Sequence, residues 1–187
     1  MKKLAMVALL ALEFAVCGCG TSNNNSTTTN TEATGDWEAQ LTGGTDQTSL
    51  LNFVTTFNVT NSGPLNVTGF GFFNGSACFS TGTNAETVTG NASFTTSTTN
   101  SVTGTLNLTI TSSTTGAVLT LSPGALTGTS NGTTSTTGTL SNGVVIGTWS
   151  LTPGSSSNCK GKMNGTYLLC QGTATCSPTT AAVALGN

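Results

Sequence analysis

Histidine and arginine are both absent from the 187 residues, and charged residues of any kind make up only 5 % of them. Without histidine, the side chain that most often moves protons near neutral pH and ligates transition metals is missing. Lysine is confined to Lys2, Lys3, Lys160 and Lys162. No basic patch is available to neutralise phosphates, so nucleic acid is not an expected partner. A serine nucleophile has no histidine base. Serine–lysine chemistry would need Lys160 or Lys162, which flank Gly161 in a polar stretch where lysine stays solvated and protonated. Asp36 and Glu38 fall on one face of a strand, opposite Trp37, and that face is expected to be wet. No pair of cysteines has the CxxC spacing of a zinc or redox site. The expectation is therefore a non-catalytic protein with no metal and no cofactor.

The chain opens with Met1-Lys2-Lys3, followed by an apolar run from Leu4 to Val16 interrupted only by Glu13. That run is too short to span a bilayer and has the proportions of a secretory signal. It ends in Val16-Cys17-Gly18-Cys19-Gly20. Val16, Cys17, Gly18 and Cys19 resemble the bacterial lipobox, in which an aliphatic residue and two small residues precede a modified cysteine. A cut before Cys17 would follow Val16, where a small residue is wanted, so Cys19 is the favoured site. The resemblance implies a signal peptide over 1–18 and a diacylglycerol and acyl chain (palmitate or similar) on Cys19. More than one chain anchors a protein stably, at about 0.8 kcal/mol per buried methylene. Gly20, where no aspartate follows the cysteine, implies outer-membrane sorting within the cell envelope. After cleavage, two lysines face five acids, a net charge of -3.

Residues 19–34 carry the lipidated cysteine and a Thr/Asn/Ser-rich stretch with almost no apolar side chains. Such a stretch buries too little surface to fold and reads as a tether, with a reach on the order of 45 Å at roughly 3.3 Å per residue.

Over 35–187 the apolar residues alternate. Trp37, Ala39 and Leu41 share one face; so do Leu51, Phe53, Thr55, Phe57 and Val59. Val102, Gly104, Leu106, Leu108 and Ile110 form a third set, and Val145, Gly147, Trp149 and Leu151 a fourth. Period two means strands with one buried face, and the abundant threonine suits the wet one. Gly43-Gly44, Asn61-Ser62-Gly63-Pro64, Asn74-Gly75, Asn131-Gly132, Asn142-Gly143 and Pro153-Gly154 are turn signals between the runs. Roughly eight to ten short antiparallel strands follow, in an all-β fold. An aliphatic-Thr-Gly motif recurs at Leu41, Val67, Val88, Val102 and Leu126. Glycines placed in strands let a sheet coil and close, which favours an antiparallel, lipocalin-like up-and-down barrel or a strongly curled sandwich.

Gly35-Asp36-Trp37 at the first strand resembles the opening of lipocalins and avidin-like barrels. That resemblance implies an interior site for a small apolar ligand, with Trp37, Phe70, Phe72 and Trp149 as its lining. Phe70, Phe72, Phe73 and Phe79 cluster around the Asn74-Gly75 turn, with Phe70 and Phe72 on one face and Phe73 on the other; a plain core is the favoured reading for them, as it is for the two tryptophans. The whole arrangement of lipobox, leash, Thr-Gly strands and late cysteines resembles uncharacterised envelope lipoproteins of soil bacteria such as Acidobacteria. That likeness implies a membrane attachment through Cys19 and contact with other envelope proteins, and no particular activity.

Cys78, Cys159, Cys170 and Cys176 remain in the exported domain. An even number in an oxidising compartment argues for disulfides. Of three possible connectivities, Cys78–Cys159 with Cys170–Cys176 is favoured, one long-range staple and one short loop.

Overall fold

The computed structural model describes residues 30–42, 51–79, 86–133, 136–155, 159 and 163–172. The signal segment, Cys19, the tether up to residue 29, Lys160, Lys162 and Cys176 lie outside the described residues.

Among the described residues nine strands follow one another: β1 (Thr31–Thr42), β2 (Phe53–Thr60), β3 (Ser62–Pro64), β4 (Asn66–Phe72), β5 (Glu86–Thr96), β6 (Ser101–Ser112), β7 (Val118–Ser130), β8 (Gly138–Thr152) and β9 (Met163–Gln171). They form one sheet in the order β3-β5-β6-β7-β8-β9-β1-β2-β4. The sheet rolls into a nearly closed antiparallel barrel, the closed member of the two architectures expected. Each run of alternating residues lies as its period requires. Trp37, Phe53, Phe57, Leu106, Leu108, Ile110 and Trp149 are buried in one continuous core.

Strand β1 begins at Thr31, four residues earlier than the tether boundary set by composition. Thr31 and Ala33 are both fully buried. Composition misplaces this boundary because a buried threonine looks polar in sequence while its hydroxyl is satisfied in the fold. Thr31 Oγ1 lies 2.7 Å from Thr96 Oγ1 and 2.9 Å from Ser130 Oγ. These three hydroxyls fill the end of the barrel where β1 starts, here called the lower end.

The Asn61-Ser62-Gly63-Pro64 signal marks a chain reversal, as expected: β2 leads through it into its antiparallel neighbour β4. Asn61 takes a left-handed φ of 53°, tolerable for asparagine. Its side-chain oxygen accepts from the Thr31 amide at 2.8 Å. Beyond it, β3 and β4 are two halves of one bent strand. The lower half pairs with β5, through Ser62↔Ser93 and Pro64↔Asn91. The upper half pairs with β2, through Asn58↔Asn66 and Phe53↔Phe72. The barrel is thus closed below and parted along an upper seam between β4 and β5.

Asn142-Gly143, in contrast, falls inside β8, where the register against β7 shifts between Thr127 and Thr129. Asn142 has a φ of 54°, which makes this a bulge in one strand. A second bulge sits in β7, where pairing with β8 jumps between Leu121 and Ala125. Pro123 is exposed there, a position that needs no ladder hydrogen bond. The Ser122 carbonyl accepts from the Tyr167 hydroxyl at 2.9 Å.

Aromatic side chains lie over strand glycines. A Cβ on Gly147 would come within 2.7 Å of the Tyr167 ring, and one on Gly143 within 2.5 Å of the Trp37 ring. The absent side chains make room for the rings, so the wall bends around them.

Cys78 and Cys159 form a disulfide between positions 81 residues apart, as expected. With β3 and β4 counted as one stave, the loops after β4 and after β8 lie on opposite sides of the ring. The segment carrying Cys78 therefore reaches over the upper mouth to meet Cys159. Both cysteines are buried with Phe79. Ser76 Oγ accepts from the Cys78 and Phe79 amides, and Thr115 Oγ1 donates to the Cys78 carbonyl at 2.7 Å. Cys170 is also disulfide-bonded. The expected partner, Cys176, lies outside the described residues.

Candidate functional site

The barrel interior is the first candidate, because four aromatic residues were expected to line it. Trp37, Phe70, Phe72 and Trp149 all point inward and all are buried, at 0, 6, 6 and 1 % exposure. They do not converge on one space. Trp37 stacks on Phe57 with ring centroids 5.1 Å apart and planes 16° from parallel. Phe70 and Phe72 meet edge to face at 5.1 Å, and Phe53 lies against both. Phe79 covers Phe72 at 4.7 Å. These are spacings at which aromatic pairs attract each other. Trp149 is placed higher, where its indole N–H donates to the Thr42 carbonyl at 3.2 Å. The indole N–H of Trp37 is buried with no hydrogen-bond partner among the described residues. Phe73, on the opposite face from Phe72, is 53 % exposed.

Among the described residues, Tyr167 is an interior side chain whose titration is clearly displaced. Burial pushes its phenol well up from the ordinary value, because the phenolate would lose its water. Its proton is held between the Ser122 carbonyl and the Leu106 carbonyl, the latter at 3.4 Å. The group pins the β7 bulge to β9. It carries no catalytic geometry.

The second candidate is a recess of about 380 Å³ in the wall. It forms where β9 stops at Gln171 and β1 and β8 come together below it. There β1 and β8 pair in parallel, through Thr31↔Gly138 and Glu32↔Thr139. Gln171 fills the fork. Its Nε2 donates to the carbonyls of Thr34 and Leu140, both at 2.9 Å, and its Oε1 accepts from the Gly143 amide at 3.2 Å. Three left-handed residues shape the rim: Gly35 at φ 99°, Asn142 at 54° and Gly172 at 86°. The remaining polar lining comes from Thr34, Asp36 and Ser141. Asp36 accepts from Thr56 Oγ1 at 2.7 Å. Glu38, two residues on, accepts from Gln40 Nε2 at 3.4 Å. The two carboxylates are thus held by different partners on the outer face. Gln171 was not singled out by sequence reasoning, which had no signal for it. Gly35 was noticed only as part of Gly-x-Trp.

A third, smaller recess of about 130 Å³ opens at the upper seam, with Glu86, Val88, Val67 and Phe70 around it. Among the described residues, no group of three or more histidine, cysteine, aspartate or glutamate side chains is placed to hold a metal ion.

No family model matches this chain, and neither does any curated protein or solved structure.

Proposed function

We propose that this chain is a lipid-anchored protein of the bacterial cell envelope whose β-barrel is a non-catalytic structural module. The observation that carries the reading is Val16-Cys17-Gly18-Cys19 at the end of a short apolar run behind two lysines. Lipid on Cys19 provides the membrane attachment, with Gly20 favouring the outer membrane, and the tether holds the domain off the surface. A buried disulfide in the domain suits an oxidising compartment outside the cytoplasm. The remaining outer face offers threonine, serine and asparagine to other envelope proteins.

In the native host, Cys19→Ser is expected to move the protein from the membrane fraction to the soluble fraction and to abolish labelling by a palmitate analogue. Unchanged membrane retention would reject the lipid anchor.

A second reading is binding of a small apolar ligand inside the barrel. An up-and-down barrel is compatible with it. The mutual packing of Phe53, Phe70, Phe72 and Phe79 and the disulfide-tied segment over the upper mouth favour the structural reading. Native mass spectrometry of protein purified from its own cells separates the two. The protein mass alone is expected; a reproducible co-purifying apolar molecule would support the second reading.

A further inference from the structure

Where β9 ends, the wall parts into a fork whose prongs, β1 and β8, meet again below it. Ending a strand frees ladder groups on both neighbours, and leaving them buried without partners is costly. The end of β9 meets that demand itself. The Gln171 side chain makes three hydrogen bonds across the fork, and the Gly172 amide donates to the Asp36 carbonyl at 2.7 Å. The floor of the recess therefore keeps its shape with nothing bound.

The rim differs from the floor. Thr34 and Asp36 stand on the outer face of β1, and Ser141 and Asn142 on that of β8. Among the described residues, no hydrogen bond engages the side chains of Thr34, Ser141 or Asn142. Asp36 commits one carboxylate oxygen to Thr56. Two hydroxyls, an amide and a carboxylate thus offer donors and acceptors around one space of about 380 Å³. Small-molecule sites occupy roughly 300–1,000 Å³. At Gly35 and Gly172 no atom lies within 4 Å of where a Cβ would stand, so a ligand can rest on bare backbone there. The lining also sets the ligand's chemistry. Asp36 is its one charged residue, so an anion would be repelled. Leu140 is its one aliphatic residue, too little for a hydrocarbon guest. What fits is small, uncharged and rich in groups that both donate and accept.

We propose that the fork of β1, β8 and β9 is a binding site for a single sugar ring. The ring's hydroxyls bridge Thr34 and Asp36 on one prong to Ser141 and Asn142 on the other, and its edge lies on Gly35 and Gly172. The site is on the outer wall, so it requires neither a hollow interior nor the lipid at Cys19. It gives a ligand to a barrel whose interior is packed.

The full chain is titrated with the methyl β-glycosides of glucose, galactose and N-acetylglucosamine. NMR follows the backbone amides of Gly35 and Gly172 and the side-chain amide of Asn142. At least one glycoside is expected to shift all three signals saturably; if none does, the proposal fails. Asn142→Gly suits the left-handed φ of 54° and removes only the amide, so the fold is kept while Kd rises about fivefold, the worth of one hydrogen bond. Ser141→Trp fills the recess from an exposed position and should abolish the sugar-induced shifts at Gly35 and Gly172. An unchanged Kd in Ser141→Trp would place the sugar elsewhere and overturn the proposal. Glucose 6-phosphate is expected to bind more weakly than the uncharged glucoside, and tighter binding would equally overturn it. An apolar guest inside the barrel would leave the sugar titration of these outer signals in place, so failure of the structural reading and failure of this site are told apart.

Discussion

The two ends of the barrel are closed by opposite means. At the upper end, Phe53, Phe70, Phe72 and Phe79 pack ring on ring beneath a segment that the Cys78–Cys159 disulfide ties down. At the lower end, Thr31, Thr96 and Ser130 meet through hydroxyls, all three buried. The apolar closure draws its stability from area removed from water, which is non-directional and tolerates small shifts. The hydroxyl closure depends on geometry, because a buried polar group that loses its partner costs more than the bond itself contributed. The lower end is also where β1 begins. A small directional lock there fixes the first strand of the barrel without adding bulk.

Four variants probe this contrast, in falling order of expected effect. Phe72→Ala removes the ring that touches Phe53, Phe70 and Phe79 and should lower unfolding free energy by about 3–5 kcal/mol in urea titrations followed by tryptophan fluorescence. A loss below about 1 kcal/mol would mean that the upper end is not a packed core. Replacing both Cys78 and Cys159 by alanine should cost about 2–4 kcal/mol, mainly by freeing the unfolded chain. The double variant should also lose most of the wild type's sensitivity to reductant. Thr31→Val keeps the shape of the lower lock and strands the hydroxyl of Thr96, so a loss of about 1–3 kcal/mol is expected. If Thr31→Val is neutral, the lower end is closed by shape alone and the contrast fails. Tyr167→Phe should cost about 1 kcal/mol at neutral pH through the Ser122 carbonyl.

The tyrosine variant carries a pH signature as well. The folded phenol titrates above its unfolded value near 10, so the folded state holds its proton more tightly. Its contribution is fully present below about pH 10 and declines above it, by at most about 1.4 kcal/mol per pH unit. Stability measured from pH 9 upward should fall for the wild type and lose that part of the slope in Tyr167→Phe.

Much of the fold was legible because period two is a local property. The inward sets at Trp37–Leu41, Leu51–Val59, Val102–Ile110 and Val145–Leu151 could be assigned one strand at a time. What could not be read depends on neighbours. Ser122-Pro123-Gly124 shifts the inward parity of β7, and only the Tyr167 hydroxyl, 45 residues away, explains what satisfies the freed carbonyl. Asn142-Gly143 has the composition of a hairpin turn, yet β7 and β9 hold it inside a strand. Thr31 looked like tether because its two hydroxyl partners lie 65 and 99 positions along the chain. The aromatic residues were correctly placed inward. Whether they surround a space or one another is a question of packing, and alternation alone has no bearing on it.

The adjacency of β1 and β9 has a further consequence. Glu38 faces Cys170 and Thr42 faces Thr166, so the first and last strands are hydrogen-bonded neighbours. The order of the staves is then a cycle, and the natural ends mark one of several places where that cycle can be cut. A circular permutant that joins residue 172 to residue 30 through a short linker and opens at the Ser97–Asn100 turn keeps every strand beside its present neighbours. Strand β6 would then come first and β5 last. Such a rearrangement separates what the barrel needs in order to stand from the order in which its staves are strung along the chain, because the first strand would no longer be β1.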